Sequence, residues 1–239
     1  MRPRGRSWRP RFSPQPYWNS VPPAATQEFL RRQFSRWGRP ERLRVDNGSP
    51  WGSRGDLPTD LVLWLAGLTV AVQANPPRRP QDNGVVERSQ GTGKRWGDPP
   101  HCATVVQLQT SVDEADRIQR EEYPNRTGRS RLEVFPELKY SGRPYTRDEE
   151  PRVWDLERAR QCLAEFGVIR TVNGSGGVSV YNRPQYVGKA YRNSEVLVRY
   201  DPQKNTWLFS DPSGRLLNTQ LASEITRETI CSLQVSLRR

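Results

Sequence analysis

Proline occupies 21 of the 239 positions, and its placement decides where regular structure can run. The ring fixes φ and removes the backbone N–H, so each proline starts, ends or forbids a helix or a central strand. Residues 1–23, MRPRGRSWRPRFSPQPYWNSVPP, hold proline at 3, 10, 14, 16, 22 and 23 and contain no acid. They are predicted to form a disordered basic Pro/Arg-rich tail. A basic arm following DNA backbone and a plain unstructured tail both remain open readings.

From Ala24 the pattern changes. AATQEFLRRQFSRWG brings Ala25, Phe29, Arg32 or Gln33, and Trp37 near one face, with Phe34 alongside, and Gly38 and Pro40 end it. This predicts an amphipathic helix. LRV then reads as a short buried strand ending at Asp46, and LPTDLVLWLAGL as a second helix with Pro58 near its first turn. TVAVQAN is a second strand, stopped by Pro76 and Pro77. QDNGVVERSQGTGKRW is expected to be helical although Gly91 and Gly93 weaken it. In TVVQLQTSVDEADRIQREEYP, Leu108, Val112, Ala115 and Ile118 recur at helical spacing. The alternation of helix and strand implies an α/β layer for residues 24–125.

Residues 126–150 read as a linker, with Leu132, Val134 and Phe135 as anchors near its start. Residues 151–239 open with a helix, PRVWDLERARQCLAEFG, and continue in short strands: VIRTV, GVSVY, QYVG, EVLVRYD, TWLFSD and RLLNTQ. Turn residues such as Asn173-Gly174, Asp201-Pro202 and Asp211-Pro212-Ser213-Gly214 separate them, which predicts a small all-β barrel.

The formal charge of +12 comes from 38 basic and 26 acidic residues and favours a polyanionic partner, nucleic acid ahead of membrane. Residues 1–44 hold eleven Arg against Glu28 and Glu41, a balance of +9. Arg outnumbers Lys 34 to 4, which suits bidentate phosphate contacts and also follows from a GC-rich genome; both readings stay open. Cys102, Cys162 and Cys231 are far apart and His101 is the sole histidine, which argues against zinc and against a His-dependent triad. Unpaired cysteines fit a reducing cytoplasm, and no apolar run reaches membrane-spanning length.

Two carboxylates stand out. Asp46 ends a strand in LRVDNGSPWG, and Glu87 lies early in a predicted helix in NPPRRPQDNGVVERSQGTGKRW. Carboxylates so placed can converge on Mg²⁺, which takes oxygen ligands, for two-metal phosphodiester chemistry. Taken alone, a strand-end Asp before Asn-Gly is also a turn residue, and a helical Glu beside Arg88 is also a surface ion pair.

The wording of the two segments goes further. RPERLRVDNGSPW followed by NPPRRPQDNGVVERSQGTGKRW resembles the DDE integrase core of insertion-sequence transposases and retroviral-type integrases. Asp46 matches the second catalytic Asp and Glu87 the catalytic Glu, with Pro80, Asn83, Gly84, Val86 and Arg88 in the surrounding frame. The resemblance implies a partial RNase H-like core over residues 24–125. It also implies a small SH3-like C-terminal barrel, a Mg²⁺ or Mn²⁺ cofactor held by Asp46 and Glu87, and DNA (element ends and target) as substrate. Arg78, Arg79, Arg88, Lys94 and Arg95 would be phosphate contacts, giving affinity rather than sequence choice.

One departure matters. The family's first Asp precedes the second by fifty or more residues, on an opening strand followed by two more strands. Residues 1–45 contain no Asp and leave no room for those strands. The chain is therefore expected to be an N-terminally truncated, catalytically incomplete member. The alternatives are a non-catalytic DNA- or protein-binding remnant that joins the oligomer of a full-length transposase, and an enzyme completed in trans. Trp64 and Trp96 are expected in the core, and His101 and Cys102 as structural.

Overall fold

The computed structural model describes residues 22–52, 55–75, 91–93, 95–97 and 99–236. Its first part runs α1 (Pro23–Trp37), β1 (Arg42–Val45), α2 (Asp60–Gly67), β2 (Ala71–Ala74) and the long helix α3 (Val105–Glu121). Three short helices follow: α4 (Arg131–Val134), α5 (Glu150–Val153) and α6 (Leu156–Ala164). The rest holds β3 (Gly167–Thr171), β4 (Gly177–Val180), β5 (Arg183–Tyr186), β6 (Glu195–Asp201), β7 (Thr206–Ser210), β8 (Leu216–Leu221) and helix α7 (Arg227–Cys231). The architecture is mixed α/β with several sheets. Among the described residues, no helix is long and apolar enough to cross a membrane.

The centre of the molecule is α2. Its sequence DLVLWLAG is apolar on every side, and a helix of that kind must be covered on every side. Leu61, Leu63, Trp64 and Leu65 are at most 1% exposed. Each such side chain contributes roughly 1.5–3 kcal/mol on burial. Helices α6 and α7 and strand β2 supply the cover. The junction between α5 and α6 fits against α2 because of Gly67, where a Cβ would stand 2.3 Å from the Trp154 ring. That ring docks by donating its indole N–H to the Trp64 carbonyl at 2.9 Å.

Strands β1 and β2 pair in parallel, Arg42 opposite Ala71 through Val45 opposite Ala74. Leu43 and Val45 alternate inward on β1. Helix α1 is rolled relative to the face its pattern predicts: Gln33 and Phe34 of that face are buried, whereas Ala25, Phe29 and Trp37 are only half-covered. Leu30 and Phe34, four residues apart, are buried with Gln27 and Gln33, while Phe29 is only partly covered. The polar side chains decide this. Gln27 donates to the Cys231 carbonyl at 3.1 Å, and Arg31 reaches the Glu150 carboxylate at 2.7 Å, fixing the roll of the helix.

The segment expected as a linker ends inside the core. Leu132 and Val134 are half-buried and Phe135 is 43% exposed, whereas Tyr145 is 3% exposed and Glu150 7%. The Glu150 carboxylate accepts from Arg31, from the Trp64 indole at 3.1 Å and from the Tyr145 hydroxyl. Burial pushes its pKa up, but these hydrogen bonds and the Arg31 charge outweigh burial and hold it below the ordinary glutamate value.

All six C-terminal strands form where the turn signals place them. They do not close into the single barrel that their spacing predicts. Strands β3, β6, β7 and β8 make a four-stranded antiparallel sheet in the order β3-β6-β7-β8, and β4 and β5 make a separate hairpin. The hairpin joins the sheet through side-chain bonds rather than a ladder: the Asn218 and Gln220 amides of β8 both donate to the Tyr186 carbonyl. Alternating residues of the sheet (Val196, Val198, Tyr200, Trp207, Phe209) meet Val178 and Val180 of the hairpin in one buried cluster. That cluster is continuous with the one around α2.

Helix α3 lies to the side. Its predicted stripe is only half-covered at Leu108, Val112 and Ile118, and Ala115 alone of that stripe is buried. Arg120 stacks on Trp37 at 4.1 Å, tying α3 to the end of α1.

Candidate active site at the end of the first strand

Asp46 follows directly on β1, and its side chain is exposed. The chain then turns back on itself. Gly48 and Gly52 face each other as a bridge, each donating its N–H to the other's carbonyl at 2.9 Å. Gly48 sits at φ 132°, a conformation that glycine adopts freely and other residues rarely do. The turn is anchored sideways: the Asn47 amide donates to the Asn75 carbonyl at 2.9 Å, just past the end of β2. The Val-Asp-Asn-Gly run thus has a local physical logic, in which Asp46 is held at the C-terminal edge of the parallel pair with its carboxylate outward.

A cleft of about 400 Å³ opens there, its walls including Asp46, Trp51, Asp56, Val62, Asn75 and Phe166. Ligands of parallel α/β sheets characteristically bind outside the carboxyl ends of the strands. Phe166 and the neighbouring strand β3 come from the C-terminal half. Arg170 on β3 pairs with Asp56 at 2.6 Å, and the Tyr181 hydroxyl donates to the Pro58 carbonyl at 2.6 Å. The second half of the chain therefore forms one wall of the Asp46 cleft. Sequence reading missed this contact, because nothing in Asp56-Leu57-Pro58 marks it as a docking point for a strand more than a hundred residues away.

Below the cleft, Asp60 opens α2 and is buried. It accepts from the Val235 N–H at 2.9 Å and the Ser236 hydroxyl at 3.2 Å, so it pins residues near the C-terminus to α2. Burial raises its pKa, and the hydrogen bonds from Ser236 and Val235 counter this in part.

The remaining predicted site residues divide sharply. Glu87, Arg78, Arg79, Arg88 and Lys94 lie outside the described residues, so the structure neither joins nor separates Asp46 and Glu87. Arg95 is described and exposed, on a helical stretch with residues 91–93 and Trp96. Among the described residues, no group of three or more His, Cys, Asp or Glu could hold a metal ion. Asp56 shares the cleft, but one of its oxygens already accepts from Arg170 and from the Leu57 N–H. The described residues by themselves do not fit a divalent-cation site.

Of the aromatic and histidine expectations, Trp64 is fully buried, while Trp96 is half-buried and meets Tyr123 edge-on at 5.1 Å. His101 is exposed in a short 3₁₀ turn, and the Cys102 thiol donates to the Gly97 carbonyl at 3.7 Å. Of the basic residues on the C-terminal strands, Arg170 and Arg183 are committed to internal contacts, and Lys189, Arg192 and Arg199 are exposed.

No protein-family model matches the chain.

Proposed function

We propose that the chain is a DNA-binding protein of the DDE integrase and transposase class, with Asp46 and Glu87 as its second and third catalytic carboxylates. It is catalytically incomplete in these 239 residues, because no Asp precedes Asp46 to serve as the first. One observation carries the reading: Asp46 stands, exposed, at the C-terminal edge of a parallel strand pair, on a turn built from Asn47, Gly48 and Gly52 and beside an open cleft. A carboxylate held so can take part in a two-metal phosphodiester site, which supports the reading. A partial RNase H-like core and an SH3-like C-terminal module are part of the same proposal. The β1-α2-β2 order and the six short strands support them. The charge of +12 supports a DNA partner, for element ends or target. Mg²⁺ or Mn²⁺ belongs to the family chemistry and would need ligands beyond the described residues.

A second reading has an observation of its own. Phe166 lines the Asp46 cleft, and Arg170 is tied to the loop beside it, so the C-terminal half occupies ground beside the carboxylate. That favours a non-catalytic remnant that binds DNA or a full-length transposase. Duplex binding followed across a salt titration tests what both readings share on the DNA side. A steep fall with salt supports DNA contact, and no binding at low salt removes it.

A further inference from the structure

Three guanidinium groups converge on Leu68 and Thr69, the two residues that follow α2. Arg39 Nη1 donates to the Leu68 carbonyl at 3.0 Å and Arg143 Nη2 to the Thr69 carbonyl at 2.8 Å. Arg158 Nη1 donates to the Thr69 hydroxyl at 2.7 Å. They arrive from three separate places: the turn after α1, the segment before α5, and α6. The outgoing carbonyls of a helix C-terminus attract cations, which accounts for one or two arginines. Three on two consecutive residues is a concentration of like charge. Among the described residues, only Asp155 lies within ion-pair distance of any of them, 3.5 Å from Arg158 Nε. Burial, together with the Arg143 and Arg158 charges, lowers the pKa of Arg39.

The unused donors matter more. Arg39 Nε is held by the Pro144 carbonyl and Arg143 Nη1 by the Pro40 carbonyl, so these two forks are anchored at more than one point. Among the described residues, Arg39 Nη2, Arg143 Nε and Arg158 Nη2 donate to nothing. None of the three side chains is fully buried. Anchored guanidinium forks with spare N–H groups match the oxygens of a phosphate, and ordering them beforehand lowers the cost of binding.

We propose that Arg39, Arg143 and Arg158 form a phosphate-binding site. It sits at the N-terminal edge of the parallel pair, since Arg39 precedes β1 and Thr69 precedes β2, whereas Asp46 follows β1. Six residues, four of them strand β1, separate Arg39 from Asp46, a span of up to about 20 Å. The site therefore stands apart from any chemistry at Asp46 and does not depend on the catalytic reading.

The test uses the whole chain. Arginine modification by phenylglyoxal, read residue by residue by mass spectrometry, is followed alone, with inorganic phosphate, and with a random duplex of about 20 base pairs. Protection of Arg39, Arg143 and Arg158, with Arg126 and Arg147 unprotected, upholds the site. Protection by inorganic phosphate identifies a small phosphorylated ligand, and protection by duplex alone identifies a nucleic-acid backbone. No protection by either overturns it. If duplex protects, replacing all three by Gln should lower the salt dependence of duplex binding by roughly 2.7 in log–log slope. The equal-charge control R126Q/R147Q/R152Q should leave the slope unchanged, and an equal effect in both sets would also overturn the proposal. Because the protection arm needs no variant, a triple substitution that fails to fold does not remove the test.

Discussion

At Glu150 a single buried carboxylate accepts from Arg31, Tyr145 and Trp64, and so joins α1, α2 and the segment before α5. Removing it leaves Arg31 largely buried over the Trp64 ring with its principal partner gone. Glu150→Ala is expected to cost about 3 kcal/mol, seen as a lower urea midpoint at neutral pH. Because the folded pKa is lowered, the stabilisation is present above the ordinary glutamate range and is lost as pH falls through the folded value. Asp116 on α3 has the opposite sign. Burial first, and then the Asp113 charge, push it up to about 6. Its contribution is therefore present below the ordinary aspartate value of about 4 and is lost as pH rises through about 6. Asp116→Asn should raise the melting temperature at about pH 7.5 and change little at about pH 4, and thermal melts at the two pH values check it.

The elements show why some of this fold can be read in the sequence and some cannot. Strands β4, β6 and β7 alternate buried and more exposed residues, and turn dipeptides bound the C-terminal strands; both signals are local, so the strands were legible. Barrel closure was not, because it depends on how β4 and β5 meet the sheet, and that contact runs through the Asn218 and Gln220 side chains to the Tyr186 carbonyl. For α1 the apolar spacing identified the helix and part of its inward face but not its roll, since Gln27 and Arg31 find partners more than a hundred residues away. The helix DLVLWLAG was legible, and its apolar surround foretells complete burial, although no local signal names α6 as the cover. Its seat for Trp154, between α5 and α6, gives a test. Gly67→Ala forces a methyl group into the Trp154 ring and should destabilise the chain by about 1–3 kcal/mol. Gly55→Ala is no control for this, since Gly55 has positive φ; Gly174→Ala, with open space around the added Cβ, should cost less.

For the whole molecule, the net charge overstates what is free to bind. Arg31, Arg170, Arg183 and Arg227 spend their donors on internal acceptors. Lys189, Arg192 and Arg199 remain exposed on the C-terminal strands, and the Arg39, Arg143 and Arg158 group keeps unused N–H donors. The candidate site was legible to the extent that its first half is local. Val45-Asp46-Asn47-Gly48 specifies a strand end and a glycine turn, whereas the wall supplied by Phe166 and Arg170 is a long-range contact with no local signature. The proposed function is tested most directly by strand transfer with the purified chain on duplex DNA ends taken from the borders of the DNA segment that encodes it, with Mg²⁺ or Mn²⁺, alongside Asp46→Asn and Glu87→Gln. The expected result is salt-sensitive DNA binding with no joined product from any of the three proteins. Joined product from the unaltered chain, lost in both variants, would contradict catalytic incompleteness, and an absence of DNA binding would contradict the family reading itself.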